Sequence, residues 1–527
     1  MSDPANPAAG SDEQIEAVRT PQEAAAHQAT QQATQQAKRH RKLLDNAAVL
    51  PAITLSVFVC WLGSTVFVGS HSTLAAELSA SSASVIFALA SYSVALIAIA
   101  VVGGRLGDII GRKYMFVGAG ITFTLAAVSA PLVDDVWELL AMRAVMGLCA
   151  GLILTSTGGV LASTLHGDTR HNAWLLWRGA GMTGMILGPV LGPVVSGAQD
   201  WRAPVLASAA LMLVAVALGA IGMRNSRDDE SHLTIGLIGP AALLGLGLLL
   251  PYLLLVLVKD QLVNWFVVVA LLLLSVACLT GFIELNRRAN SQLFDHDIVL
   301  GNSRLWVTDL FGAIHVGGLF IVFAALATVL DAGTTLTSIQ VGLGMVALAI
   351  PLITLHLLAH RIRNRYGFTR QQESMVGSLL LVLSMCWLFL VALDELTYST
   401  ILPTLILAGA GFGLIRLLGH MGVIKTTGQR WASTLFGTRT FANHLGAAVG
   451  AVLIGVVLAQ MAASASQVDA QLARQAAIVA AWAVGVVVVC TAAFAALKFK
   501  LLGWEDPHWH TEGSTPVTVT NEAPPRP

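Results

Sequence analysis

Some of the few ionisable side chains inside the apolar stretches of this 527-residue sequence are candidates for chemistry: Arg143, Arg178, Asp309, His315, Arg416, His420, Arg439 and His444. In hydrocarbon an arginine costs at least about 2.5 kcal/mol unless it faces protein or water, so such residues mark ion or substrate paths. An acid or histidine exposed first to one side of a membrane and then to the other can carry a proton. Asp309 is the acid placed most clearly within an apolar stretch, close to one end of it. His315 follows six residues later, about 240° around a helix, so the two occupy different faces. Many arginines with few acids attract negative charge. An anionic or neutral substrate therefore suits these residues better than a lipophilic cation.

Small residues accompany the charges at helical spacing. Arg143, Gly147 and Gly151 fall at i, i+4 and i+8 and share one face. Gly409, Gly413, Arg416 and His420 fall at i, i+4, i+7 and i+11, a pattern that Arg439, Asn443, Gly446 and Gly450 repeat. Each stripe reads either as a packing face with snorkelling arginines or as a cavity lining. His444 stands one step off its stripe. In the run from Gly179 to Pro193, Pro189 and Pro193 each remove a helical hydrogen bond, while Gly184, Gly188 and Gly192 let the bent helix press on a neighbour. The G-x-G-x-x-G at Gly179, Gly181 and Gly184 has no strand before it, which excludes a dinucleotide fold.

The elements that carry these residues must be membrane helices. The chain is 55% hydrophobic and 11% charged, with zero formal net charge, and its mean hydropathy is +0.73. Soluble domains carry about twice that charged fraction, and the neutral balance gives no pull toward nucleic acid. A hydrocarbon layer of about 30 Å needs roughly 20 apolar residues. Fourteen stretches qualify: 48–70, 83–102, 115–133, 138–162, 173–198, 203–223, 233–257, 263–283, 305–329, 339–358, 374–392, 400–423, 434–460 and 476–497. After the Lys38, Arg39, Arg41, Lys42 cluster, alternate connections are basic, with Arg112, Lys113, Arg287, Arg288, Arg361, Arg363 and Arg365 among them, whereas the opposite set carries Arg202, Lys259 and Arg474. The positive-inside rule then puts both termini in the cytoplasm. The five cysteines, one per apolar stretch, read as small core residues.

Between the second and third stretches lies Gly104-Arg105-Leu106-Gly107-Asp108-Ile109-Ile110-Gly111-Arg112-Lys113. Glycine suits a tight turn between close helices, and a carboxylate there can cap a helix N-terminus or pair with an arginine, as a breakable latch would. The run resembles the G-x-L-x-D-R-x-G-R-K signature of the major facilitator superfamily, with Ile109 in place of one arginine. Gly104, Asp108, Gly111 and Arg112 are the latch residues this implies. A fainter echo, Asn364-Arg365-Tyr366-Gly367, comes between the tenth and eleventh stretches. Trp201-Arg202, and the segment beginning at Arg439, also resemble family motifs.

The resemblance implies an all-α membrane protein of the fourteen-helix drug:proton antiporter group, with a 6+2+6 layout. An N-terminal half would span 46–223, two extra helices 224–285 and a C-terminal half 286–500, between disordered cytoplasmic tails at 1–45 and 501–527. The run at Gly184, Gly188, Pro189, Gly192 and Pro193 is similar to the exporters' G-x-x-x-G-P-x-x-G-G, with Pro193 replacing the last glycine; this implies export. Arg143 resembles the family's R-x-x-x-G arginine, associated with proton transfer. Leu62-Gly63-Ser64-Thr65 stands where the group has L-D-x-T, so Gly63 replaces the usual acid. The expected function is export of small molecules across a bacterial cytoplasmic membrane by proton antiport, with an uncoupled transporter or a transporter-like sensor as the alternative. The expected partners are a small-molecule substrate, protons and lipid, with no nucleic acid, the chain acting as a monomer. A phosphate loop for direct ATP drive, metal-ligand spacing and a nucleophile elbow are missing from the sequence, so no enzyme activity, metal or cofactor is expected.

Overall fold

The computed structural model describes residues 48–67, 74, 77–80, 82–164, 167–196, 201–227, 265–288, 303–392, 396–415, 432–463 and 468–500. In hydrocarbon every backbone polar group must be satisfied inside its own segment, which leaves helices as the local solution for apolar runs of this length. The described residues form helices and no strands. These are α1 (Ala48–Thr65), α2 (Ser82–Ile110), α3 (Arg112–Val128), α4 (Val136–Thr164), α5 (Gly167–Ser196), α6 (Arg202–Gly222), α7 (Trp265–Arg288), α8 (Ser303–Gly333), α9 (Ser338–Gly344), α10 (Val346–Tyr366), α11 (Arg370–Val391), α12 (Tyr398–Leu414), α13 (Ala432–Ala463) and α14 (Val468–Lys500). Seven of the described helices are long and apolar enough to cross a membrane by length and composition.

Each expected stretch coincides with a described helix except 233–257, which lies outside the described residues. The expected span at 339–358 is interrupted at Met345, between α9 and α10, and the expected span at 400–423 is helical as far as Leu414. Local chemistry sets several starts. Thr337, Thr369 and Thr397 open α9, α11 and α12 with reciprocal capping boxes to Gln340, Gln372 and Thr400, satisfying donors that a helix start leaves orphaned.

Two groups of helices emerge from the contacts. In the first, α4 packs on α2 and α3, and α3 on α6; in the second, α8 packs on α13 and α14, and α12 on α10 and α11. Small residues allow these approaches. An added Cβ at Gly450 would stand 2.7 Å from the Gly317 carbonyl oxygen, so α8 and α13 meet backbone to backbone. The seam between the groups is made by α13 against α2 and α4, and by α5 against α9 and α10. Outward faces are apolar, as on α11, where Met375, Leu379, Leu383, Trp387, Phe389 and Leu390 are exposed; a continuous face of this kind suits lipid rather than water. Cys60, Cys149 and Cys278 are buried as expected, but Cys386 is exposed, because it falls on that lipid-side face of α11.

Candidate functional site

The seam is clasped at one end by a carboxylate. Asp108, near the end of α2, is fully buried, and its Oδ1 accepts from Arg112 Nη2 at 2.5 Å and Nε at 3.1 Å. The same carboxylate accepts from the Ser433 amide at 3.3 Å, the Thr434 amide at 3.1 Å and the Thr434 hydroxyl at 3.0 Å. Ser433 and Thr434 begin α13. An anion at a helix N-terminus satisfies orphaned amides and meets the positive end of the helix dipole. Arg112 Nε adds a 2.8 Å bond to the Ser433 hydroxyl. Gly104 makes the approach possible, since a Cβ there would lie 2.5 Å from the Ser433 carbonyl oxygen. Gly111 turns the chain from α2 to α3 at φ 114°, with Asn225 against it.

Behind the clasp is an aromatic layer. Trp174 and Trp177 of α5 stack with centroids 5.3 Å apart, and the ring of Phe436 stands edge-on to them at 5.0 and 5.8 Å. Trp177 Nε1 donates to the Thr157 hydroxyl at 3.1 Å, tying α5 to α4. Trp174 and Trp177 also line a cavity of about 70 Å³ bordered by α1, α5, α8, α10 and α13. Trp61, Arg178, His315, His356, Arg439 and Asn443 contribute to its wall. The volume is well below the roughly 300 Å³ at the low end of small-molecule sites.

The candidate residues divide among three places. Arg178, His315 and Arg439 converge on the cavity. Asp309 is buried behind Arg439: Arg439 Nη1 donates to the Thr308 carbonyl at 2.6 Å and lies 3.5 Å from Asp309 Oδ1. Gly312 leaves the space in which this guanidinium lies. His315 sits edge-on to Phe412 at 5.5 Å, its Nδ1 without a hydrogen-bond partner among the described residues. His444 is fully buried and stacks on Trp61 at 3.9 Å. The α13 stripe thus splits, with Arg439 and Asn443 on the cavity while Gly446 and Gly450 pack on α8.

Arg143 lies elsewhere, 2% exposed. Its Nη2 donates to the Gly63 carbonyl at 2.7 Å, and its guanidinium covers the rings of Tyr92 at 4.4 Å and Phe67 at 5.1 Å. Tyr92 donates to the Cys60 carbonyl at 2.6 Å, and a Cβ at Gly63 would meet the tyrosine oxygen at 3.0 Å. A carbonyl and two rings therefore hold the arginine. Gly184 and Gly188 press α5 onto α1 at Phe58, Leu62 and Thr65, and Pro189 faces Thr65 across a small gap. Gly192 and Pro193 lie within α5, but their side-chain surroundings, like Arg416 and His420 altogether, fall outside the described residues.

Trp61, Trp174, Trp177 and His356 are wall residues that reading the charges alone does not find. A signal for two of them exists: Trp174, Trp177, Arg178, Gly181 and Met185 fall at i, i+3, i+4, i+7 and i+11, one face of a helix. His356 is a lone ionisable residue in an apolar run, and nothing in sequence says which way it faces.

The comparisons with known proteins agree with this architecture. The chain is 28% identical to the "Probable actinorhodin transporter" of Streptomyces coelicolor over 69% of its own length and 64% of that protein, short of two thirds. It is 24% identical to the "Drug efflux pump JefA" of Mycobacterium tuberculosis, over 71% of this chain and 72% of that one. Among solved structures, the proton:xylose symporter XylE bound to 6-bromo-6-deoxy-D-glucose superposes with a TM-score of 0.58 at 12% identity, covering 87% of this chain and 96% of the other; at that identity the likeness is one of fold. The family model for the Major Facilitator Superfamily matches residues 53–451. By that match, and by two helix groups meeting around a cavity, the chain belongs to the Major Facilitator Superfamily of membrane transporters.

Proposed function

We propose that this chain exports small molecules across the bacterial cytoplasmic membrane, with both termini inside and the Asp108 clasp as the cytoplasmic gate. The observation that carries the reading is a cavity lined by helices on both sides of the seam, with Asp108 bonded to the start of α13 across the same seam. Segments 46–223 and 286–500 rock about it as two six-helix halves, 224–285 adds two further helices, and the monomer suffices for the cycle. Export, rather than import, is supported by the glycines of α5 pressed on α1 and by the resemblance to a drug efflux pump and an actinorhodin transporter.

Two readings of the driving force follow from different observations. Proton antiport is supported by Asp309, a buried acid whose partner Arg439 forms part of the cavity wall, so its charge state is felt by a bound substrate. Uncoupled transport is supported by Gly63, where Arg143 is met by a backbone carbonyl instead of an acid. The test is efflux of a substrate panel from cells expressing wild type or Asp309→Asn, with and without nigericin. Efflux that collapses in the mutant, and in wild type when the pH gradient alone is removed by nigericin with the potential retained, supports antiport through Asp309. Efflux that persists without the pH gradient leaves the uncoupled reading.

A further inference from the structure

We propose that the cavity binds an organic anion bearing a flat apolar ring, and that the membrane potential expels it. This rests on the export reading above and selects between its two driving forces. The wall presents the guanidinium groups of Arg178 and Arg439 and the imidazoles of His315 and His356, with no carboxylate among the described wall residues. Asp309 stands behind Arg439, whose Nη1 donates to the Thr308 carbonyl at 2.6 Å and lies 3.5 Å from Asp309 Oδ1. A guanidinium has five N–H donors in a planar fork suited to carboxylate or sulfonate. In a water-poor cavity, neighbouring cations favour an incoming anion. Trp61 and Trp177 supply flat apolar surface beside them, which holds an aromatic ring by area and ring contact.

The same arrangement fixes the driving force. Proton antiport requires substrate and proton to exclude each other. Here they assist each other: an anion draws Arg439 toward itself, and a proton neutralises the Asp309 left behind. Coupling of that sign opposes antiport. An anion needs no proton, because an inside-negative potential of roughly 100 mV drives each exported charge to a gradient of about fifty-fold. A transporter working in this way has no use for an acid at position 63, and Gly63 with its carbonyl on Arg143 is what α1 provides.

The test uses the full chain in proteoliposomes with equal buffered pH on both sides, a potential set by potassium and valinomycin, and two permanent ions of one shape, a naphthalenesulfonate and its trimethylammonium counterpart. The sulfonate is expected to accumulate on the positive side, toward about fifty-fold at roughly 100 mV. Arg439→Gln and Arg178→Gln are expected to cut this flux by more than about tenfold, with Arg439→Lys recovering part of it. Because either substitution can impair folding, binding is also read in the wild type: the sulfonate quenches tryptophan emission and the cation fails to compete. Transport of the cation with the sulfonate ignored overturns the anion assignment and leaves export standing. Sulfonate flux that follows a pH gradient and not the potential overturns the driving force. If neither ion is carried or bound, the anion assignment falls, while the export reading is judged separately by the substrate-panel efflux.

Discussion

At Gly111 the chain leaves α2 with φ 114°, and at Gly367 it leaves α10 with φ 67°. These are the only glycines with positive φ among the described residues, and they mark the two connections that echo each other in sequence. Their surroundings differ. The Gly111 turn is buried against Asn225 and beside Asp108, whose carboxylate reaches across the seam to α13. The Gly367 turn is exposed, has open space where a Cβ would go, and runs into the self-contained capping box of Thr369 and Gln372. The left-handed backbone is thus a device for turning, and the clasp is a separate device added by the acid. One loop became a gate because a carboxylate stands within reach of another helix's free amides.

Four substitutions test that distinction. Asp108→Asn should have the largest effect, since losing one member of a buried charge pair costs about 3–5 kcal/mol. Transport is expected to fall by more than about tenfold while substrate binding persists, and a cysteine placed at Ser433 is expected to react with an impermeant maleimide well above the native-cysteine background. Normal turnover with no added labelling would mean that the clasp does not gate. Gly104→Val comes next: its side chain would strike the start of α13, so cycling is expected to slow several-fold with the gate held ajar, measured by the same labelling. Gly111→Ala combines an unfavourable φ with the contact to Asn225 and should cost about 1–3 kcal/mol, lowering the thermal unfolding midpoint and transport together. Gly367→Ala has strain alone, about 1–2 kcal/mol, and is expected to lower the midpoint while leaving transport close to wild type. Equal transport losses at Gly111 and Gly367 would erase the contrast between the two turns.

The fold was legible where chemistry is local. Runs of apolar residues gave the described helices because in lipid a backbone has to satisfy itself within each run. The interruption at Met345 was not legible, since the sequence around it stays apolar and Pro351 falls inside α10 without ending it. The site was half legible. Arg178, Asp309, His315 and Arg439 stand out by charge, whereas Trp61 and the tryptophans of α5 do not, because an aromatic residue in an apolar helix costs nothing whichever way it faces.

By itself the sequence determined that this is a helical membrane protein, where its helices run, and which charges are too costly to face lipid. Only the tertiary structure decided that Asp108 meets Thr434 across 326 positions, that Arg439 stands between Asp309 and the cavity, and that Arg143 is held by the Gly63 carbonyl. The physical reason is range. Helical hydrogen bonds close within four residues and are written in any short window, while the pairing of distant charges depends on which helix faces come together, and that is set by packing over the whole chain.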